Sequence, residues 1–382
     1  MPLAVRSNPV AALRSRFRRV AIVHEWLTIP GGSEKVVLAI LDLLPHAELF
    51  TSVYDPSPWP EAITSRPVHT SFLNRLPGAK THYSRLLPLM DSAFRSFDLS
   101  QFDLVISSNH ACAKNVRTPP GVPHVCYCHT PMRYAWDPSF LTEEALGPVA
   151  RQLAPIGTAW LRHIDRKRAD GPDVFVANSS FVASRIKEAY GRDSHVIHPP
   201  VRVEHLLETP RDERDAYLVF GRIVPYKRVD IAIAACERIR RRLLVAGDGR
   251  DLARVRRLGS RYTEFLGPVP DKDMPALFSQ ARALLFPGLE DFGMVPVEAQ
   301  AAGMPVVAYG AGGVLDSVID GQTGVLYHPG SVEGLCAGIR RLESLTIAEQ
   351  DLRSNVLRFG PERFACEFGE LLMSLRDCPR PG

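Results

Sequence analysis

Short apolar runs alternate with amphipathic stretches along most of this chain. Residues 19–23, 104–107, 123–127 and 174–177 read as buried strands in the first half, and residues 217–220, 243–246, 265–267 and 283–286 in the second. Between them apolar positions recur at helical spacing, as over 35–44, 181–190, 229 onward and 361–375. The last stretch puts Phe364, Phe368, Leu371, Leu372 and Leu375 on one face. Strands that alternate with helices predict an α/β fold with parallel sheets. The run His198-Pro199-Pro200 predicts a stiff extended joint. The expected organisation is a lead-in over 1–18, one Rossmann-like domain over 19–200, a second over 201–360 and a closing helix over 361–382.

Composition agrees with that division. A chain of 382 residues suits two domains, and 45% hydrophobic against 23% charged residues is the balance of a globular protein with ample core. A net charge of +4 gives no footprint for nucleic acid, and no apolar run is as long as a membrane span. The lead-in carries Arg6, Arg14, Arg16 and Arg18, with Arg19 beside it, and reads either as a solvated tail or as a segment able to touch anionic lipid. Seven scattered cysteines fit a reducing compartment better than a disulfide scaffold. Cys126 and Cys128 are two apart on one strand face. With Cys112 and His129 they lack the repeated pair spacing of a zinc site, so no metal is assigned.

The candidate chemistry gathers where strands end. The first strand runs into His24-Glu25-Trp26-Leu27 and then Gly31-Gly32-Ser33-Glu34, where Ser33 is expected to cap a helix and the glycines let backbone N–H groups approach a ligand. No Gly-x-Gly-x-x-Gly follows any strand, which argues against a nicotinamide dehydrogenase. His110 and His129 fall at the carboxyl ends of neighbouring strands, the edge at which open parallel sheets bind ligands. In the second half Arg222 and Lys227 flank a strand-to-helix loop; a guanidinium fork and a point charge together suit a pyrophosphate.

The most informative stretch is 286–309, a strand-loop-helix-strand unit. Glu290 is placed in its loop and Glu298 in the first turn of a helix opened by Pro296, both at an open N-terminus that attracts an anion. Acids there also stabilise any helix, so a capping role stays open on this ground alone. Asp271 and Asp273 read as an ordinary helix start rather than as metal ligands.

The run Gly221-Arg222 to Lys227, Glu290 and Glu298 in a Phe-Gly-Met-Val-Pro-Val-Glu context, Gly312-Gly313 and Asp320-Gly321-Gln322-Thr323-Gly324 resembles the retaining GT-B glycosyltransferases of glycosyltransferase family 4. The first half resembles them through Gly31-Gly32 and Cys128-His129-Thr130-Pro131-Met132-Arg133-Tyr134. The resemblance implies two Rossmann-like domains facing across a cleft, the last helix returning to the first domain, and no cofactor or metal. It implies that Arg222 and Lys227 hold a donor diphosphate, Glu298 the ribose, and Glu290 with the amides of Phe292 and Gly293 the hexose. Gly31, Gly32, Gly221, Met294 and Val295 complete the implied donor site, and His129 matches a histidine beside the transferred sugar; His129, Glu290, Arg222 and Lys227 form the implied catalytic set.

The detail over 221–230 and 128–134 resembles bacterial O-antigen and exopolysaccharide mannosyltransferases. That implies GDP-mannose as donor and a polyprenyl-diphosphate-linked or other glycan as acceptor, in the cytoplasm or peripherally on the inner membrane. Lys80, His82 and Arg85 would suit an anionic acceptor. The alternatives are a UDP-sugar donor, a nucleotide-sugar epimerase, or a nucleotide-sugar-binding protein without turnover.

Overall fold

The computed structural model describes residues 9–137, 148–210 and 215–375. The chain forms two compact units, one of residues up to Pro200 together with those from Glu362 onward, the other Val201–Pro361. In the first unit, strands β1 (Val20–His24), β2 (Glu48–Thr51), β3 (Val68–Thr70), β4 (Leu104–Asn109), β5 (His124–Cys128), β6 (Val174–Ala177) and β7 (His195–Val196) make a seven-stranded sheet in the order β3-β2-β1-β4-β5-β6-β7. The second unit has β8 (Ala216–Phe220), β9 (Arg242–Ala246), β10 (Thr263–Gly267), β11 (Ala281–Phe286), β12 (Val306–Tyr309) and β13 (Gly324–Tyr327) in the order β10-β9-β8-β11-β12-β13. All pairings are parallel.

Each sheet therefore reverses its strand order once, between β1 and β4 and between β8 and β11. Helices leave a parallel sheet on opposite faces at such a point, which opens a crevice at the carboxyl ends of the two strands. The central strands are buried along their whole length, as a sheet covered on both faces requires. Strands β2 and β3 are not evident in the sequence, because each is three or four residues long and mixes polar with apolar positions, and neither is the four-residue β13, which follows directly on a turn sequence.

On one face of the first sheet the helix Gly32–Leu43 buries Val36, Val37, Ile40 and Leu41 against Ile22, Ile106 and Tyr127. The helix Pro361–Ser374 enters the same core, with the Phe364 and Phe368 rings stacked 5.4 Å apart and 6.0 and 6.2 Å from the Tyr127 ring. Full burial of each such side chain stabilises the unit by about 1.5–3 kcal/mol.

The lead-in proves to be part of this core. Its residues Pro9–Arg16 form a helix, Leu13 and Phe17 lie one helical turn apart and are buried, and Arg16 donates to the carbonyls of Met373, at 2.8 Å, and Leu375. Neither a free tail nor a separate segment describes residues 9–18; residues 1–8, with Arg6, lie outside the described ones.

Below the opposite face Lys114 and Asp165 form a fully buried ion pair, and the other Asp165 oxygen accepts from Trp136 Nε1 and Tyr190 hydroxyl, each at 2.7 Å. Burial works against the charge on Lys114, but Asp165 outweighs it and raises the lysine pKa. This buried network ties the helix Pro148–Arg168 to the segment after β5.

Candidate functional site

Two clusters of polar side chains stand at the two points of strand reversal, and they are built differently. In the first unit β1 and β4 end side by side, with His24 in register with Ser108. Both are fully buried. Glu34, in the first turn of the helix Gly32–Leu43, points back under the sheet edge: its Oε1 lies 3.0 Å from His24 Nε2. Nδ1 of the same ring lies 3.0 Å from Ser108 Oγ, and that oxygen lies 2.8 Å from His129 Nε2 at the end of β5. A continuous chain Glu34–His24–Ser108–His129 results. Burial would raise the Glu34 pKa, but His24 overrides it and brings it down to about 2. Burial, aided by His110 and His24, drops that of His129 well below its ordinary value.

Glu25, the residue after β1, is wholly buried and holds the loop after β4. Its carboxylate accepts from the backbone N–H groups of His110, Ala111, Cys112 and Ala113 at 2.7–3.1 Å. An acceptor of four amides sets that loop as firmly as any strand pairing. It also fixes His110, whose ring lies 6.0 Å from that of His24 and 6.4 Å from that of His129.

Gly31 and Gly32 are exposed beside this chain, although not for the expected reason. Gly31 has an extended backbone, and what it supplies is room: a Cβ there would lie 2.9 Å from Glu34 Oε2. Ser33 is the second helical residue and so cannot cap; its hydroxyl donates to Glu34 Oε2 at 2.9 Å instead. Glu25, Glu34, His24 and Ser108 carried no role in the sequence reading. The signal available was polar identity within or next to strands otherwise buried throughout.

In the second unit the site is made of loops. Gly221 follows β8 with φ 114°, a left-handed conformation that leaves the space for Lys227; a Cβ there would come 3.3 Å from Lys227 Nζ and 3.9 Å from Val295. Lys227 ends the single turn Pro225–Lys227 and pairs with Glu290 Oε1 at 2.9 Å, both side chains mostly buried at 15% and 18% exposure. Burial disfavours its charge, but Glu290 prevails and raises the lysine pKa, while the nearby Arg222 charge opposes the rise. Arg222 itself is exposed.

The loop bearing Glu290 is wedged between glycines. Gly288 passes so close to Tyr226 and Lys227 that a Cβ would meet their backbone at 2.7 Å, and Gly313 donates to the Glu290 carbonyl at 2.8 Å. Gly293, at φ 82°, then turns the chain into the helix Met294–Ala301, which starts two residues before Pro296. Pro296 is therefore the third helical residue, where its missing N–H still breaks no bond. Glu298 is correspondingly in the second turn and buried, not at the helix mouth beside Glu290 as the sequence suggested. Phe292 is buried at the hinge of the loop, with Met294 and Val295 half-buried beyond it.

The structure thus brings together Gly221, Arg222, Lys227, Glu290, Val295 and the Phe292–Gly293 turn in one unit, and Gly31, Gly32 and His129 in the other. Asp273 precedes the helix Met274–Ser279 in a helical conformation and makes no side-chain cap bond. Among the described residues no helix is long and apolar enough to cross a membrane.

Comparison with known proteins bears on both units. Residues 30–205 match the family model Glycosyltransferase Family 4 and residues 207–358 the model Glycosyl transferases group 1. A GDP-mannose-dependent alpha-(1-6)-phosphatidylinositol monomannoside mannosyltransferase of Mycobacterium tuberculosis is 28% identical over 225 residues, 51% of this chain and 57% of that protein. A glycogen synthase of the same organism is 40% identical over 143 residues, 34% of each chain. The chain thus spans between a third and somewhat more than half of these relatives. Among solved structures, Anabaena Alr3699/HepE in complex with UDP and glucose superposes with a TM-score of 0.67 at 19% identity, over 93% of this chain and 99% of that one. Sucrose-phosphate synthase from Thermosynechococcus elongatus gives a TM-score of 0.68 at 17% identity, over 93% and 98%. Adjoining glycosyltransferase family models thus match both units, and the two parallel Rossmann-like sheets have the GT-B fold of these structures.

Proposed function

We propose that this chain is a retaining hexosyltransferase, most simply an α-mannosyltransferase using GDP-mannose, that acts on a lipid-linked or polysaccharide acceptor. The observation that carries the reading is the Lys227–Glu290 pair at 2.9 Å, held at the strand reversal of the second unit with Arg222 beside it. A nucleotide sugar presents a diphosphate next to a ring of hydroxyls. Lys227 and Arg222 suit the first and Glu290 the second, with the Phe292 and Gly293 amides alongside. Glu298 on the helix behind suits the ribose.

The chemistry follows from where charge develops. Cleavage of the anomeric C–O bond leaves a nucleoside diphosphate of increased negative charge and a sugar of oxocarbenium character. Cations already in place when the bond breaks stabilise that state more than the ground state. Glu290 holds the Lys227 ammonium in position beforehand, which limits the reorganisation needed at the moment of reaction. A sugar-positioning role for Glu290 fits its engagement with Lys227; attack by a donor-assisted acceptor hydroxyl on the same face would then retain configuration.

The donor assignment draws on the mannosyltransferase relatives. A UDP-sugar is the second reading, favoured by the UDP bound in the Anabaena structure. The deciding experiment is calorimetry and thermal shift with GDP, UDP, GDP-mannose and UDP-glucose, since a ligand of the native state raises its melting temperature. Preference for the guanosine compounds supports the mannosyltransferase, and preference for uridine replaces the donor. Binding of neither removes the phosphate assignment. Release of nucleoside diphosphate that requires an added glycan would separate a transferase from an epimerase or a binding protein.

A further inference from the structure

We propose that an arginine cluster at the amino ends of β9 and β10 docks the second unit onto an anionic lipid surface, where Arg256, Arg257 and Arg261 take phosphate headgroups and Leu258 enters the interface. The cluster lies at the sheet edge opposite Lys227 and Glu290, which follow the carboxyl ends of β8 and β11. The inference therefore goes beyond the glycosyltransferase reading and takes nothing from it. Residues 237–262 carry nine arginines against Glu237, Asp248 and Asp251, in a chain whose whole net charge is +4. Part of that charge is neutralised within the fold: Arg238 pairs with Glu333, Arg241 with Glu343, Arg242 with Glu264 and Arg254 with Asp251. Arg240, Arg256, Arg257 and Arg261 are exposed and have no acidic partner among the described residues.

The strand register sets these groups side by side. Thr263 of β10 stands against Leu243 of β9, which brings Arg261 and Tyr262 alongside Arg241 and Arg242. The Arg256 guanidinium lies 5.9 Å from the centre of the Phe265 ring, and that of Arg261 lies 4.9 Å from the Tyr262 ring, whose hydroxyl takes one of its N–H groups at 2.9 Å. Stacking on a ring orders a guanidinium before contact and leaves its remaining N–H edge for a phosphate. Leu258 stands between Arg257 and Arg261 at 45% exposure, and the interior below it is full. Val255 is completely buried there, and Gly259 is pressed so close to the strand that a Cβ would lie 2.7 Å from Phe265. Beside Leu258 a groove of about 420 Å³ runs between the helices Val229–Ile239 and Val332–Glu343, with Ile231, Ala234 and Val332 along its apolar wall. The acids lining it, Asp230 and Glu333, are already held by Arg228, Arg254 and Arg238. Apolar surface ringed by arginines fits a bilayer, where phosphates meet acyl chains; a soluble polyanion offers no apolar layer.

The test is sedimentation of the full-length protein with vesicles of phosphatidylglycerol and phosphatidylcholine, against vesicles of phosphatidylcholine alone. Binding to the first, weakening as salt rises, and none to the second is the expected result. Arg256→Ala, Arg257→Ala and Arg261→Ala should each weaken it about fivefold, the scale of one basic side chain at an anionic bilayer. Leu258→Ser should weaken it at every salt concentration. Arg363→Ala, which removes the same charge from the closing helix, should leave binding unchanged. Arg257→Ala and Leu258→Ser change exposed side chains that stack on no ring, so they carry the test if a ring-stacked arginine proves necessary for folding. Equal binding to both kinds of vesicle, binding to neither, or a loss matched by Arg363→Ala would overturn the proposal. So would tighter binding to dextran sulfate that ignores Leu258→Ser, which would assign the cluster to a soluble polyanion. GDP and GDP-mannose binding by the same variants should match wild type; a failure of the donor reading would appear there and leave the vesicle result standing.

Discussion

The two strand-reversal sites solve the same problem with opposite materials. In the first unit the site is cast from side chains sunk into the sheet edge: Glu25 takes four amides, and Glu34, His24, Ser108 and His129 bond in series. In the second it is cast from backbone, with Gly221, Gly288 and Gly313 allowing loops to touch around the Lys227–Glu290 ion pair. Buried polar networks are costly when broken, and loops are not. Changes to the first site should therefore fall on stability, and changes to the second on turnover.

The largest effect expected is at Lys227. Lys227→Ala should reduce kcat/KM by about 10²–10³-fold, the scale of a lost transition-state donor, with melting temperature nearly unchanged. A large loss of melting temperature instead would erase the contrast between the sites. Glu25→Ala should do the converse. It leaves four backbone N–H groups without their acceptor, and unfolding in denaturant should show a loss on the order of 4 kcal/mol, given about 1–3 kcal/mol for each abandoned buried donor that water cannot reach.

Acid sharpens the distinction. Glu34 has a pKa lowered from 4.5 to about 2 in the folded chain, so the unfolded chain binds its proton first. Its stabilisation is complete above pH 4.5 and lost as pH falls toward 2; it amounts to about 3 kcal/mol, at about 1.4 kcal/mol per pKa unit. His129, lowered from 6.5, has the same sign at higher pH: stability present above 6.5 declines below it. Wild type and Glu34→Gln should therefore converge in stability as pH falls from 5 to 2, measured by denaturant unfolding. A constant gap would show that the ionised Glu34 gains nothing from its contact with His24.

Gly313→Ala is expected to be intermediate, because the new Cβ would meet the Asp291 carbonyl at 2.1 Å and must push the loop carrying Glu290. About 1–3 kcal/mol of strain, read as a lowered melting temperature together with weaker nucleotide-sugar binding, is the expected outcome. Least is expected of Arg341→Ala. Its paired contacts to Asp320, 2.8 Å each, lie at the surface and should be worth under about 1 kcal/mol.

Legibility divided along the same line. The second site could be found in the sequence because backbone constraints leave written marks: glycines at fixed offsets, a proline, an acid in the loop. Even there Glu298 was misplaced by a turn, since Pro296 looked like a helix start and Gly293, whose left-handed φ begins the helix earlier, looked like loop. The chain of Glu34, His24, Ser108 and His129 left almost no mark. Glu34 is ten positions from His24, and Ser108 is a further seventy-four on; only the parallel register of β1 and β4 makes them neighbours. Long buried strands were evident from their apolar runs, while β2 and β3 were too short and too mixed, and β13 too short, to announce themselves.

The closing helix has a consequence for how the protein is made. Phe364, Phe368 and Leu372 complete the core around Tyr127, and Arg16 contacts Met373 across 357 positions of chain. The sheet that leaves the ribosome first is thus the one whose interior is finished last, after the whole second unit has emerged. Loop closure over such a span is slow, and an incomplete apolar face is exposed meanwhile. Nascent chains halted within the second unit should therefore carry a first unit that is collapsed and protease-sensitive, and a chaperone that shields the Tyr127 face would have its longest opportunity there.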